Sequence, residues 1–335
     1  MYDLKFSILI PAYNGANIIS DTLRSILSQS FDNFEIIIQD DASKDDIKEV
    51  VESFKDSRIK FFANSKNLGY PGNLEECRKK ANGDIIYLMG QDDILATDAL
   101  LNTYKAFKLS EDIGAVTRPY FWFSDSISVP VRAKEQLDKD HDTIIGIDEG
   151  YDKIISVFKT LDQLSGLAYR TKYIDRPFHQ DIFPSHVYPF ASIFKKHPIV
   201  FLKDYNTAVR IATSQTRSLS SIYDKSPLHS WVDLFKDVFC EEEFSEMMEF
   251  CIKNFVAKNY VGLIQIRNYA RYSYLLREIY YLIKFRPRNL LSPPFWFFSL
   301  GCMVMPSFLL ISLVDFYKDK INSKRLRSIE FGYKL

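Results

Sequence analysis

The chain has no excess of charge of one sign: 43 lysines and arginines stand against 43 aspartates and glutamates in 335 residues. That balance excludes a whole-protein electrostatic attraction to nucleic acid, so no nucleic-acid partner is expected. Cysteine is scarce. Cys77, Cys240, Cys251 and Cys302 form no C-x-x-C pair and lie near no histidines at zinc-finger spacing, which points to free thiols in a reducing compartment. No internal repeat or low-complexity segment interrupts the chain, and no signal-like stretch precedes the strand-like run that begins at Phe6. The expectation is a first half that faces the cytoplasm. With 47% hydrophobic and 26% charged residues the composition is that of a folded globular protein. Aromatics reach 15%, but aromatic faces suit sugars and lipid interfaces alike, so the excess decides nothing by itself.

What is present is alternation. Short β-branched or apolar runs at 6–10, 34–38, 59–63 and 85–89 read as strands, and apolar spacing predicts helices at 18–27, 47–54 and 73–81. Strands alternating with helices imply βαβ units: an α/β, Rossmann-like, mostly parallel sheet flanked by helices. Residues 121–150 turn polar and charged and read as loops and an irregular excursion. Helices are expected at 151–164 and 187–196, and a strand at 199–202. Beyond Ser230 the chain reads as helical, with helices at 231–239, 244–259 and 272–285.

In such a sheet the chemistry sits outside the carboxyl ends of the strands. The four strands deliver Pro11-Ala12-Tyr13-Asn14, then Asp40-Asp41-Ala42-Ser43, then Asn67-Leu68-Gly69 with Gly72-Asn73, and finally Gly90-Gln91-Asp92-Asp93. Adjacent carboxylates repel one another unless a cation or hydrogen-bond donors are at hand, and here they occur twice at one edge. The alternative for each pair is capping of the helix that follows.

The strings Phe-Ser-Ile-Leu-Ile-Pro-Ala-Tyr-Asn at 6–14, Gln-Asp-Asp-Ala-Ser at 39–43, Asn-Leu-Gly at 67–69 and Asn-Gly-Asp-Ile-Ile-Tyr-Leu-Met-Gly-Gln-Asp-Asp at 82–93 resemble family-2-type inverting glycosyltransferases of the GT-A fold, of the kind that builds bacterial surface polysaccharides. The resemblance runs over residues 5–215 and is strongest over 5–110. It implies that Pro11, Ala12 and Tyr13 line a nucleotide-base pocket, that Asp40 and Asp41 accept hydrogen bonds from a pyrimidine and help seat the ribose, and that Asn67 and Asn73 add polar contacts. It implies that Asp92 is the last acid of an Asp-x-Asp motif holding Mg2+ or Mn2+ against the diphosphate. Gly90 stands where the first acid of that motif belongs, leaving Asp93 as the second candidate ligand.

An inverting transfer also needs a base for the acceptor hydroxyl. The family's Glu-Asp pair precedes a helix in the second half. Ser185 and His186 occupy its place, with Asp181 just upstream, so Asp181 and His186 both stand as candidates. A later family histidine is Ala212 here, while Arg210, Ser214 and Arg217 are candidate phosphate or acceptor contacts.

The expected organisation is a catalytic GT-A domain over 1–220 and a helical region over 221–335. Residues 289–314 hold no charge, contain Pro293, Pro294 and Pro306, and have basic residues on both flanks. A re-entrant or surface-lying membrane segment on the cytoplasmic face is expected there, the alternative being a buried helical pair or a homo-oligomer contact. The implied activity is transfer of a sugar from a UDP- or dTDP-type donor to an acceptor hydroxyl, the acceptor being a lipid-linked saccharide. One rival, a sugar-1-phosphate nucleotidyltransferase, requires a glycine-rich, arginine-bearing first loop, and Pro-Ala-Tyr-Asn-Gly is not one. The other rival is a non-catalytic scaffold that binds nucleotide-sugar.

Overall fold

The computed structural model describes residues 2–124, 126–211 and 220–333. The chain forms two compact units, Met1–Ile211 together with Arg327–Leu335, and Ala212–Leu326.

The first unit opens with β1 (Phe6–Ala12), α1 (Ile19–Leu27), β2 (Phe34–Asp40), α2 (Ile47–Glu52), β3 (Ile59–Ala63), α3 (Gly69–Lys80) and β4 (Ile85–Leu88). It continues with β5 (Ile94–Leu95), α4 (Ala99–Lys108), β6 (Ala115–Thr117), β7 (Tyr120–Phe123), β8 (Pro130–Lys134), β9 (Thr143–Ile145), α5 (Tyr151–Phe158), β10 (Ala168–Arg170), α6 (Val187–Phe194), β11 (Ile199–Phe201) and β12 (Thr207–Arg210). The main sheet has eight strands in the order β3-β2-β1-β4-β10-β6-β11-β9. Strands β1 to β4 run parallel to one another, with Ala12 opposite Asp40 and Phe6 opposite Ile85. β10 enters antiparallel between β4 and β6. Both faces of β1 and β2 are buried, which is why they read as continuous apolar runs rather than alternating ones.

Charge is also buried in this sheet. Glu35 of β2 meets Lys5 and Lys60 at 3.1 and 2.6 Å, and accepts from Ser7 Oγ at 2.6 Å and the Asn82 N–H at 3.0 Å. Burial alone raises a carboxyl, but these donors outweigh it and hold Glu35 down at about 2.

The stretch 121–150, expected to be irregular, instead supplies β7, β8 and β9. β7 and β8 form a second sheet, ordered β5-β12-β7-β8, and β9 pairs with β11. These strands are short, and although β7 and β8 pair with each other, the further partners β12 of β7 and β11 of β9 lie far along the chain, so local patterning does not show them. Their outward charges are also accommodated: the Arg132 guanidinium lies 4.3 Å from the Trp122 ring, and Lys134 pairs with Asp162 at 2.9 Å. Helix α5 stops at Phe158, short of the expected 164, because the next carbonyls turn aside to a buried guanidinium. Arg118 donates to Thr160, Gln163 and Ser165 at 3.0, 2.8 and 2.7 Å.

The last residues close the smaller sheet. Phe331 meets Phe121 edge-on at 5.1 Å, and Ile329 and Tyr333 pack with it on Ile94, Phe123 and Ala208. The Thr97 N–H donates to the Gly332 carbonyl at 2.6 Å.

The second unit holds α7 (Pro227–Val238), α8 (Ser245–Asn254), α9 (Gly262–Tyr269), α10 (Tyr272–Phe285), α11 (Pro293–Val304) and α12 (Ser307–Phe316). Ser226 caps α7 by accepting the His229 N–H at 3.0 Å and donates to the buried Glu278 of α10 at 2.9 Å. The apolar stretch 289–314 is divided at Met305 and Pro306, where proline has no N–H to continue the ladder. Among the described residues no helix is long and apolar enough to cross a membrane.

Candidate functional site

The ends of β1 and β2 are joined before any ligand is considered. The Asp41 N–H donates to the Ala12 carbonyl at 2.8 Å. Asn73, buried in α3, donates to the Gln39 and Ala12 carbonyls at 2.8 and 3.3 Å, and accepts from Asn64 at 2.9 Å. The turns beyond the strands are bonded to each other: Asn14 donates its N–H to Ser43 Oγ at 2.8 Å and accepts the Lys44 N–H at 2.9 Å. Asn14 and Ala42 both sit in the left-handed region, at φ 48° and 59°. The Asp40 carboxylate holds that conformation by accepting the Ser43 N–H at 3.1 Å and the Ser43 hydroxyl.

Asp41 faces a different element. Its carboxylate accepts the N–H groups of Leu68 and Gly69, at 2.7 and 2.9 Å, and an Asn64 amide hydrogen at 2.9 Å. It sits at the N-terminus of α3, where orphan donors and the helix dipole both favour an anion. The capping alternative therefore applies to Asp41, but at α3 rather than at the following helix α2. Asn67 is exposed, and its Oδ1 accepts the Gly69 N–H at 3.0 Å. Tyr13 leaves its side chain 36% exposed at the rim, with Ala12 buried beneath.

The Gly90-to-Asp93 turn is clamped onto this edge by a side chain not singled out from the sequence. Gln91 accepts the Tyr13 N–H at 3.0 Å and donates to the Tyr13 carbonyl at 3.1 Å. A Cβ at Gly15 would lie 2.3 Å from Gln91 Oε1, so that glycine makes the clamp sterically feasible. Within the turn, Gly90 donates to Ser165 Oγ at 2.7 Å, and Ser165 donates to Asp93 at 2.5 Å. Arg210 gives its N–H to the other Asp93 oxygen at 2.9 Å. Asp93 is buried, and that burial, then the adjacent Asp92 charge, pushes its carboxyl up to about 8. Asp92 is only half-buried.

A Cβ on Gly90 would stand 2.9 Å from an Asp93 oxygen and 3.0 Å from an Asp92 oxygen. The glycine thus borders both carboxylates and leaves little room for a third. The donor set suits one divalent cation held by Asp92 with phosphate oxygens and water, since Mg2+ commonly takes one or two carboxylates beside phosphate. Both Asp93 oxygens are engaged inside the protein. Among the described residues no group of three or more His, Cys, Asp or Glu could hold a metal by itself.

Arg210 closes one side of this turn. Its side chain donates to the Asp92 carbonyl at 3.2 Å and to Asp21 at 3.3 Å, and its guanidinium lies 4.9 Å from the Phe123 ring. Ser214 and Arg217 lie outside the described residues.

The two base candidates lie deeper. His186 is buried. Its Nε2 is 2.8 Å from the Leu161 carbonyl, which can only accept, so Nε2 carries the proton. Its Nδ1, 3.0 Å from the Tyr70 hydroxyl, then accepts. Burial, partly offset by the Leu161 carbonyl, lowers the imidazole to about 4, and the ring is neutral at pH 7. Asp181 is also buried, and accepts the Phe183 N–H at 3.2 Å. Tyr70 follows Gly69 in α3, so the His186 pocket and the Asp41 anchor share one helix end. Gln91, Ser165, Asn64 and Tyr70 were not singled out from the sequence. Of these only Gln91 carried a signal, being inside a motif.

Residues 7–134 match the profile of Glycosyl transferase family 2. This segment is similar to glycosyl transferase family 2. The matched segment is 36% identical over 100 residues to the Escherichia coli UDP-Glc:alpha-D-GlcNAc-diphosphoundecaprenol beta-1,3-glucosyltransferase WfgD, across 30% of this chain and 40% of that protein. It is 35% identical over 99 residues to the Campylobacter jejuni GalNAc(5)-diNAcBac-PP-undecaprenol beta-1,3-glucosyltransferase, across 29% of this chain and 32% of that protein. The match thus spans less than half the length of either relative. In fold the chain is similar to Staphylococcus aureus TarS 1-349 in complex with UDP-GlcNAc, with a TM-score of 0.63 at 17% identity over 97% of this chain and 90% of that one. It is also similar to the mannosyltransferase PcManGT of Pyrobaculum calidifontis in complex with GDP-Man and Mn2+, with a TM-score of 0.56 at 13% identity over 91% and 87%. The matched segment therefore sits within a GT-A fold.

Proposed function

We propose that this protein is an inverting glycosyltransferase that moves a sugar from a UDP- or dTDP-type donor to an acceptor hydroxyl on a lipid-linked saccharide, at the cytoplasmic face of a membrane. The observation that supports it best is the clamp between Gln91 and the Tyr13 backbone. It joins the base-pocket turn to the acidic turn, as a ligand with a base at one end and a diphosphate at the other requires. The acceptor class follows the two relatives whose printed names specify undecaprenol-diphosphate-linked substrates.

In this reading Pro11, Ala12 and the exposed face of Tyr13 receive the base. Asp40 accepts from the pyrimidine, and Asn67 and Asn73 at the start of α3 add polar contacts. Asp41 fixes the end of α3 as the wall of the pocket. Asp92 holds Mg2+ or Mn2+, which when bound neutralises charge on the leaving diphosphate. Arg210 stays beside the acidic turn through Asp21 and the Asp92 carbonyl. Of the two base candidates the geometry favours Asp181, because the Nδ1 lone pair of His186 already takes the Tyr70 proton. The attacking hydroxyl loses its proton to that base as its oxygen bonds the anomeric carbon, and the nucleoside diphosphate departs from the opposite face.

A second reading, a nucleotide-sugar-binding scaffold without turnover, is favoured by Gly90 and by the internal engagement of Asp93. Calorimetry with UDP and dTDP, followed by a turnover assay over a panel of nucleotide-sugars with a lipid-linked acceptor, separates the two. Binding with release of nucleoside diphosphate is expected. Binding without release supports the scaffold, and no binding of any nucleotide overturns both.

A further inference from the structure

Lone exposed apolar side chains are ordinary on a protein surface, but a run of them without charge is not. Leu291, Phe297, Val304, Phe308, Leu313 and Phe316 are 54–85% exposed. α12 has no buried residue at all, and α11 buries only Phe295, Ser299 and Cys302. Both helices pack against α9, which leaves their remaining surface apolar and uncovered within the unit. Trp296 spends its indole N–H on the Leu290 carbonyl at 2.8 Å, so its ring needs no water partner.

Charge decides what covers this surface. Residues 289–314 carry none, whereas residues 284–327 as a whole carry eight basic side chains against two acidic ones. Lys284 and Arg288 before the stretch, and Lys324 and Arg325 after it, are exposed. An apolar centre with basic flanks complements an anionic lipid surface, whereas a second copy would bring the same cations into opposition.

Length decides how it is covered. α11 has 12 residues and α12 has 10, about 18 and 15 Å. Each is roughly half of the ~30 Å hydrocarbon thickness. Positive charge at both ends also opposes carrying either end across.

We infer that α11 and α12 insert together into one leaflet of an anionic bilayer, with both flanks on the same side, as a monotopic anchor. This deepens the lipid-linked-acceptor reading but stands on the second unit alone, and vesicle binding and nucleotide binding are measured separately.

The test is flotation of the full chain with vesicles of phosphatidylcholine, with and without phosphatidylglycerol. The wild type binds both, and the anionic vesicles by about tenfold more. The variant Phe297→Glu/Phe308→Glu/Leu313→Glu alters only exposed positions. It loses binding to both vesicle types by about tenfold or more and keeps its UDP affinity. Arg288→Glu/Lys324→Glu/Arg325→Glu loses only the anionic preference. In a Cys240→Ser background, cysteines placed at 288 and at 324 both react with an impermeant maleimide from outside. A wild type that ignores both vesicles, or a triple-glutamate variant that still floats, overturns the anchor. A protected flank overturns the one-leaflet arrangement. A wild-type dimer that the glutamate variant dissociates, without vesicle binding, reassigns the surface to a second copy. Flotation without nucleotide binding leaves the anchor standing and removes the donor assignment.

Discussion

The Asp41 carboxylate accepts the Gly69 N–H at 2.9 Å, across 28 residues of sequence. With Leu68 and Asn64 it makes one carboxylate the fastener between the sheet edge and the start of α3. Asp41→Ala therefore takes the acceptor from the Leu68 N–H and removes one of the bonds made by Gly69 and Asn64, at a cost of about 1–3 kcal/mol. A melting temperature lowered by about 3–10 °C is the expected calorimetric result, with weaker UDP or dTDP binding. Unchanged melting and unchanged affinity together would remove Asp41 from both roles.

Asp92 and Asp93 separate by experiment although they are neighbours. Asp92→Ala should cut turnover by about 10²-fold or more while the melting temperature holds. Asp93→Ala should unfold earlier, because Ser165 and the Arg210 N–H lose their shared partner. Full turnover in excess chelator would show that no divalent metal takes part.

For the base, Asp181→Asn should lower turnover by about 10²-fold or more with nucleotide affinity retained. If Asp181→Asn turns over normally while His186→Gln does not, and both remain folded, the base role passes to His186.

His186 also sets a pH dependence. Its imidazole is held at about 4 in the fold against an ordinary 6.5. Between these values the unfolded chain binds more protons than the folded one, so stability falls as pH drops from about 6.5 to about 4, by up to about 1.4 kcal/mol per pH unit. Glu35 acts lower. Its folded value of about 2 lies below the ordinary 4.5, so its contribution is present above 4.5 and lost on the way down to about 2. Urea midpoints measured from pH 7 to 4 should show a shallower fall in His186→Gln than in wild type. Parallel curves would contradict the buried neutral imidazole.

The alternation of the first ninety residues was legible because β1, β2 and β4 are buried on both faces and each helix returns directly to the sheet. β1 to β4 fall where the apolar runs lie, and α10 begins and ends at the expected Tyr272 and Phe285. β7, β8 and β9 were not legible, since a four-residue strand such as β7 is stabilised by β12, which lies nearly ninety residues on. The placement of α5 failed for a similar reason: Arg118, far upstream, takes the Thr160 and Gln163 carbonyls of the turn that follows it. At the site, sequence named the acidic turns but not what each acid bonds. Asp40 serves its own turn, Asp41 serves α3, and Asp93 serves Ser165 and Arg210. Those partners are matters of register and packing, invisible in a string of residue types.

The return of Phe331 to Phe121 has a consequence for how the molecule is made. Synthesis proceeds from the N-terminus, yet the smaller sheet of the first unit receives part of its cover from residues 329–333. Ile94, Phe121 and Phe123 wait, only partly covered by Ile127, Ala133 and Tyr205, while the whole helical unit is translated, which at ~5–20 residues per second takes several seconds or more. A stop codon after Leu326, or a bulky fusion at Leu335, would therefore be felt in the N-terminal unit. The first unit is begun before the helical unit and completed after it.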